Sequence, residues 1–180
     1  MAAPPLLLAL DQGTSSSRAA LFDRDGCPVA SASAPLEIHY PNDGWVEQNP
    51  IDIWESQRLA MSRLEQKITS EQRQAVISCG ITNQRETTTL WKRSDSSPCG
   101  PALVWQDGRT ADLCQQWKKS GLETSWRAQT GLMLDPYFSA SKIRWLLDHE
   151  SAASRAAAQG DLCFGTVDSW LLWPVSYTHL

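Results

Sequence analysis

LLLALDQGTSSSR, residues 6–18, runs five apolar side chains into an aspartate, a glycine and four consecutive hydroxyls before closing on Arg18. Five apolar residues bounded by a polar, glycine-containing turn predict a buried strand, because a strand covered on both faces needs no alternation. The hydroxyl row then stands at the strand's end, where small donors, backbone N–H groups and one guanidinium share a space suited to a polyphosphate. Asp11 at the strand tip suits Mg2+ held through water, Gly13 lets the backbone approach a phosphate, and Thr14, Ser15 and Ser16 supply donors. Arg18 neutralises charge. On spacing alone, an ordinary hydroxyl-rich turn fits as well. A Walker loop does not: no Gly-Lys-Ser/Thr follows, and no helix is signalled directly after the glycine.

Working outward, SRAALFDRDGCPVASAS (17–33) alternates around Asp25-Gly26, a dipeptide that tolerates positive φ and signals a hairpin. The first three strands are therefore expected to be antiparallel neighbours. NPIDIWESQRLAMSRLEQKI (49–68) predicts a helix, with Asn49 as N-cap, Pro50 at the first helical position, and Ile53, Trp54, Met61, Leu64 and Ile68 on one face. AVISCGI (75–81) reads as another buried strand, TTTLWK (87–92) as its β-prone partner, and ALVWQD (102–107) as a strand closing on a polar turn. From Arg109 the pattern turns helical: TADLCQQWKKSG (110–121) ends on a glycine suited to a C-cap, and SASKIRWLLDHE (139–150) begins on a serine suited to an N-cap. This order predicts an α/β fold, a mixed sheet with an antiparallel hairpin and covering helices.

A length of 180 residues accommodates one domain or a piece of a larger one. A net charge of −4 and a pI near 5.3 argue against nucleic acid as a partner, since its binders carry a basic face. The start PPLLLAL lacks a positively charged leader, and no stretch reaches a membrane-spanning length, so a cytoplasmic chain is expected. Cysteines at 27, 79, 99, 114 and 163 are odd in number and show no CxxC, which signals neither a disulfide framework nor zinc. His39, His149 and His179 stand far apart, in no metal-binding pattern. The nine tryptophans predict packing, with a ligand role for Trp105 alone.

In GITNQRETTTLW (80–91) a strand breaks into polar residues that include Arg85 and Glu86. An exposed neighbouring pair of this kind is usually inert. At a strand end the two suit a diol, because Arg donates and an ionised Glu accepts. LVWQDGRT (103–110) and GLMLDPYFSASK (131–142) add Trp105 as a flat apolar wall and Tyr137 as a hydroxyl.

Taken in order, ALDQGTSSSR, GWVEQNPIDIW, GITNQRETT, VWQDGRT, TGLMLDPYFSASKIRWLLD and LCFGTVDSWLLW resemble the FGGY family of carbohydrate kinases over residues 6–173. The resemblance implies an actin-like ATPase (ribonuclease H-like) fold, incomplete here, whose N-terminal domain holds substrate and the phosphate tail of ATP at a cleft. Carried over by position, the phosphate loop falls on Asp11, Gly13, Thr14, Ser15, Ser16 and Arg18. Glycerol contacts fall on Arg85, Glu86 and Tyr137, with Trp105 as the apolar wall. The implied reaction moves the γ-phosphoryl group of ATP, with Mg2+, to a terminal hydroxyl of glycerol and gives sn-glycerol 3-phosphate. Relatives acting on larger sugars usually lack the Arg-Glu pair, so NQRET favours glycerol. A homo-oligomeric parent is implied as well.

Two departures stand out. Gly108 occupies a turn where the family generally has a side chain, and PVSYTHL (174–180) continues no family pattern, so it reads as a non-native tail. The family's general-base aspartate and its adenine-binding second domain are expected beyond the chain end. Residues 1–173 would then be the N-terminal part of the first domain, inactive as a kinase alone. A nucleotide-binding scaffold of the actin and Hsp70 type would share the loop but not need Arg85, Glu86 and Tyr137. A ribonuclease H-like nuclease would need several carboxylates on adjacent strands, where only Asp11 is offered.

Overall fold

The structure, a computed structural model, describes residues 4–176. The chain divides into two compact units, one built from the residues up to Ile38 with Pro50–Gln84, the other from His39–Asn49 with the chain from Arg85 onward.

In the first unit, β1 (Leu6–Gln12), β2 (Ser16–Phe22) and β3 (Pro28–Pro35) form the expected antiparallel run. The Asp25-Gly26 hairpin forms as read, with Gly26 at φ 79° and the Asp23 carboxylate accepting from the amides of Asp25 and Cys27. After β4 (Glu47–Gln48), which belongs to the second unit, come α1 (Pro50–Glu65), α2 (Ser70–Gln74) and β5 (Val76–Asn83). β5 lies parallel to β1, a pairing that needs a long crossover, and the sheet order is β3-β2-β1-β5. The mixed sheet expected from the sequence is present.

Ala60 and Leu64 of α1 pack over Leu6, Leu10, Ala19, Leu21, Ala32 and Ala34, where the alanines let the helix approach the sheet closely. Its buried face differs from the expected one. Met61 is exposed, whereas Ser56 and Gln57 are buried. Hydrogen bonds offset much of the cost of this exchange: Ser56 Oγ lies 2.7 Å from Ser17 Oγ, and Gln57 Nε2 donates to the Arg18 carbonyl at 3.1 Å, while Gln57 Oε1 is buried without a partner. AVISCGI also departs from expectation. β5 is the edge of the sheet and Ile77 is 69% exposed, because an apolar side chain is buried only where something covers its face of the sheet.

In the second unit, β6 (Thr89–Lys92) precedes β7 (Ala102–Leu103), α3 (Ala111–Lys119), α4 (Leu122–Thr130), α5 (Ser139–His149), α6 (Ser151–Ala158), β8 (Leu162–Gly165) and α7 (Val167–Ser176). TTTLWK does not pair with β5. β6 pairs with β8 from the far end of the chain, and only two residues of ALVWQD are strand, paired with β4. Leu90, Cys99, Leu103, Leu146, Ala153 and Ala156 form the core. Trp91 packs against Trp170 and Trp173, with ring centroids 5.4 and 5.5 Å away. A Cβ at Gly165 would stand 2.6 Å from Ser169 Cβ and 2.8 Å from Trp91 Cη2, so that crossing admits only glycine. α7 continues through Pro174 to Ser176; the other residues of the expected tail, 177–180, lie outside the described residues. All five cysteines are free.

Candidate functional site

The hydroxyl-rich stretch is the turn joining β1 to β2. Gly13 N donates to the Ser16 carbonyl at 2.9 Å, and a Cβ at Gly13 would lie 3.1 Å from that oxygen, so the tight turn itself calls for glycine. Ser15 is exposed, and its carbonyl accepts from Leu36 N at 2.9 Å; Thr14 and Ser16 are half-buried. Beneath the turn, the buried Gln12 donates from Nε2 to the Gly13 carbonyl at 2.7 Å. Gln84 holds Gln12 in turn, through its amide to the Gln12 carbonyl at 2.7 Å and through Nε2 to Gln12 Oε1 at 3.0 Å. These two glutamines fix the turn, and nothing in the sequence singled them out.

Strand register sets the charged residues. Asp11 stands opposite Arg18 on β2 and opposite Thr82 on β5, and all three are exposed. Gln12 and Ser17, one step along, are buried, since successive residues of a strand alternate faces. The face away from α1 therefore offers a carboxylate, a hydroxyl and a guanidinium side by side across three strands. Asp11, Gly13, Thr14, Ser15, Ser16 and Arg18 all belong to this one hairpin.

The second group of expected residues lies in the other unit. Arg85 is exposed. Glu86 adopts φ 65°, a left-handed conformation that side-chain-bearing residues rarely hold. Its carbonyl accepts from Thr88 Oγ1 at 3.2 Å and from Ser139 Oγ at 3.3 Å. Ser139 thus has a different task from the expected N-cap; Phe138 occupies the cap position and makes no side-chain cap bond. Thr87 Oγ1 accepts from Trp105 N at 3.2 Å, and the Trp105 ring meets the Tyr137 ring edge-on, centroids 6.1 Å apart. These contacts bring together the three separated segments that carry Glu86, Trp105 and Tyr137.

Tyr137 is held from both sides. Its amide donates to Asp135 Oδ1 at 2.9 Å, and Lys142 Nζ donates to its carbonyl at 3.1 Å and to that of Pro136. Lys142 is completely buried. Burial pulls its ammonium down from 10.5 to about 8, while the carboxylates of Asp107, Glu86 and Asp135 and the Cys114 thiol act in the opposite direction. Behind it, Thr110 Oγ1 and Ser141 Oγ lie 2.8 Å apart.

The turn containing Gly108 is held by a buried ion pair. Asp107 accepts from Arg109 Nε at 2.9 Å, from Arg109 Nη2 at 2.7 Å and from Val46 N at 2.7 Å. The Arg109 guanidinium lies 3.9 Å from the Trp45 ring centroid and 4.6 Å from that of Trp145, and its Nη1 is 2.8 Å from Glu47 Oε1. Both Arg109 and Asp107 side chains are fully shielded from solvent.

The sequence matches the family model "FGGY family of carbohydrate kinases, N-terminal domain" over residues 6–180. The chain belongs to this family. Among its FGGY relatives, the glycerol kinase of Ralstonia pickettii (strain 12J) is 53% identical over 176 residues, which cover 97% of this chain and 35% of that protein. The crystal structure of Plasmodium falciparum glycerol kinase with ADP has a TM-score of 0.84 at 29% identity, covering 94% of this chain and 34% of that one. A xyloylose kinase from Brucella ovis has a TM-score of 0.80 at 26% identity, over 93% and 33% of the two chains. The fold is thus that of the FGGY sugar kinases, the actin-like ATPase class, and the chain spans about a third of the length of the relatives it matches. FGGY kinases named for different substrates share this fold, so a substrate has to be argued from side chains. Among the described residues no helix is long and apolar enough to cross a membrane, and no three His, Cys, Asp or Glu side chains are grouped to hold a metal.

Proposed function

We propose that residues 1–173 form the N-terminal part of the first domain of a cytoplasmic, ATP-dependent glycerol kinase. The observation that carries this reading is the convergence of the segments that bear Glu86, Trp105 and Tyr137. Identity of 53% to the Ralstonia pickettii glycerol kinase supports it. Arg85 donates to, and the Glu86 carboxylate accepts from, adjacent hydroxyls of glycerol, while the Tyr137 hydroxyl adds a third polar contact. The Trp105 ring lies against the carbon chain. Thr14, Ser15, Ser16 and the backbone at Gly13 hold the terminal phosphates of ATP, and Arg18 offsets their charge.

Mg2+ asks for one or two carboxylates beside phosphate oxygens and water, and Asp11, exposed at the end of β1, fits that demand through water. Bound there, the ion supplies neutralisation of phosphate charge. The terminal hydroxyl oxygen of glycerol bonds to the γ-phosphorus as the bond from that phosphorus to the β–γ bridging oxygen breaks. ADP leaves, and the hydroxyl proton is released. Such transfer depends on positioning and electrostatics more than on covalent chemistry by the protein.

Titrating the 15N-labelled chain with glycerol tests the reading. We expect the amide signals of Glu86, Trp105 and Tyr137 to move, and Arg85→Ala to weaken binding about 10- to 100-fold, as loss of a charged hydrogen bond does. Unmoved signals, or equal affinity in Arg85→Ala, would contradict it.

A further inference from the structure

The first turn of α5 reaches both polyol-binding segments. Ser139 and Lys142 are three residues apart and so share one helix face. Ser139 Oγ donates to the Glu86 carbonyl at 3.3 Å, and Lys142 Nζ donates to the carbonyls of Pro136 and Tyr137. We propose that Ser139 and Lys142 are positioning residues for glycerol, Ser139 by holding Glu86 in its left-handed conformation and Lys142 by fixing the main chain that carries Tyr137. The inference rests on the assignment of Glu86 and Tyr137 to glycerol made above.

Two features of the structure argue for it. A glutamate at φ 65° stores strain of about 1 kcal/mol or more and persists only where its surroundings over-determine it. Thr88 and Ser139 supply that determination through the one carbonyl oxygen. Without the Ser139 donor the peptide is freer to return to ordinary φ, which swings the Glu86 side chain away. Lys142, in turn, is a fully buried ammonium whose hydrogen bonds go to two successive main-chain carbonyls. Its charge is costly there, as the downward displacement of its pKa attests, and methionine would fill the same slot without that cost. What methionine could not do is hold the two carbonyls. With the Tyr137 amide bound by Asp135, Lys142 completes a clamp on both sides of the ring-bearing residue.

Ser141, on the same turn, bonds to Thr110 and to neither glycerol segment, which makes it the control. The test measures glycerol affinity by NMR titration, with unfolding free energy alongside, for the 180-residue chain and its Ser139→Ala, Lys142→Met and Ser141→Ala variants. The expected result is binding weakened about five- to tenfold in Ser139→Ala, which loses one hydrogen bond, and at least as much in Lys142→Met, which loses two, with Ser141→Ala within twofold of the parent whatever its stability. Affinities within twofold in both Ser139→Ala and Lys142→Met would overturn the proposal, as would an equal weakening in Ser141→Ala. Should Lys142→Met not fold, Lys142→Gln is measured in its place and the same thresholds apply. If the parent chain itself binds no glycerol, the assignment of Glu86 and Tyr137 fails first, and this inference falls with it.

Discussion

Arg109→Met is expected to destabilise the second unit by about 3–5 kcal/mol, the usual result of stripping one partner from a buried ion pair. Asp107 is fully shielded and takes two Arg109 nitrogens besides the Val46 amide. Removing the guanidinium leaves that carboxylate buried with backbone donors alone. It also removes the cation from the faces of Trp45 and Trp145, two rings that meet edge-on at 82° with centroids 5.2 Å apart. Urea unfolding followed by tryptophan fluorescence measures the loss. Adding Asp107→Asn to Arg109→Met should recover part of it, because the uncompensated charge is then gone. A loss below about 1 kcal/mol would mean that the ion pair and its ring contacts contribute little to holding the turn.

The second large effect is a pH dependence from Lys142. The unfolded chain keeps this proton up to the ordinary lysine value of 10.5, whereas the folded chain releases it near 8. Between those values the unfolded state binds more protons, so the contribution of Lys142 to stability rises with pH, by up to about 3 kcal/mol across the interval. Below pH 8 both states are protonated and the contribution is flat. Lys142→Met removes the titration. The difference in unfolding free energy between parent and Lys142→Met should therefore shift in the parent's favour from pH 8 to pH 10.5, a comparison in which other titrating groups cancel. A constant difference would show that the ammonium is hydrated in the folded chain.

What could be read from the sequence was local. The β1 turn, the Asp25-Gly26 hairpin and α1 follow from side-chain types next to one another in the chain, and all three formed. The pairing of β6 with β8 joins segments about seventy residues apart, which no window of neighbouring residues encodes. β5 looked buried because its composition is apolar, while its position at the sheet edge depends on what pairs beside it. At the candidate site, the hydroxyl row, Arg85-Glu86, Trp105 and Tyr137 were visible as polar or aromatic residues at strand ends and in loops. The residues that support them were not. Lys142 and Arg109 carry charges, and a charged residue in a helical or turn pattern reads as solvated. Gln12 and Gln84 read as loop polarity although they pin the turn, and the left-handed backbone of Glu86 is invisible without coordinates.

The most direct measurement joins this chain to the remaining two-thirds of the Ralstonia pickettii glycerol kinase, in place of that enzyme's matching segment, and assays phosphoryl transfer from ATP to glycerol. The account predicts turnover of glycerol in preference to xylulose, with Arg85→Ala raising the KM for glycerol about tenfold or more and leaving the KM for ATP nearly unchanged. A folded hybrid that transfers no phosphate to glycerol, or one whose glycerol KM ignores Arg85→Ala, would contradict it.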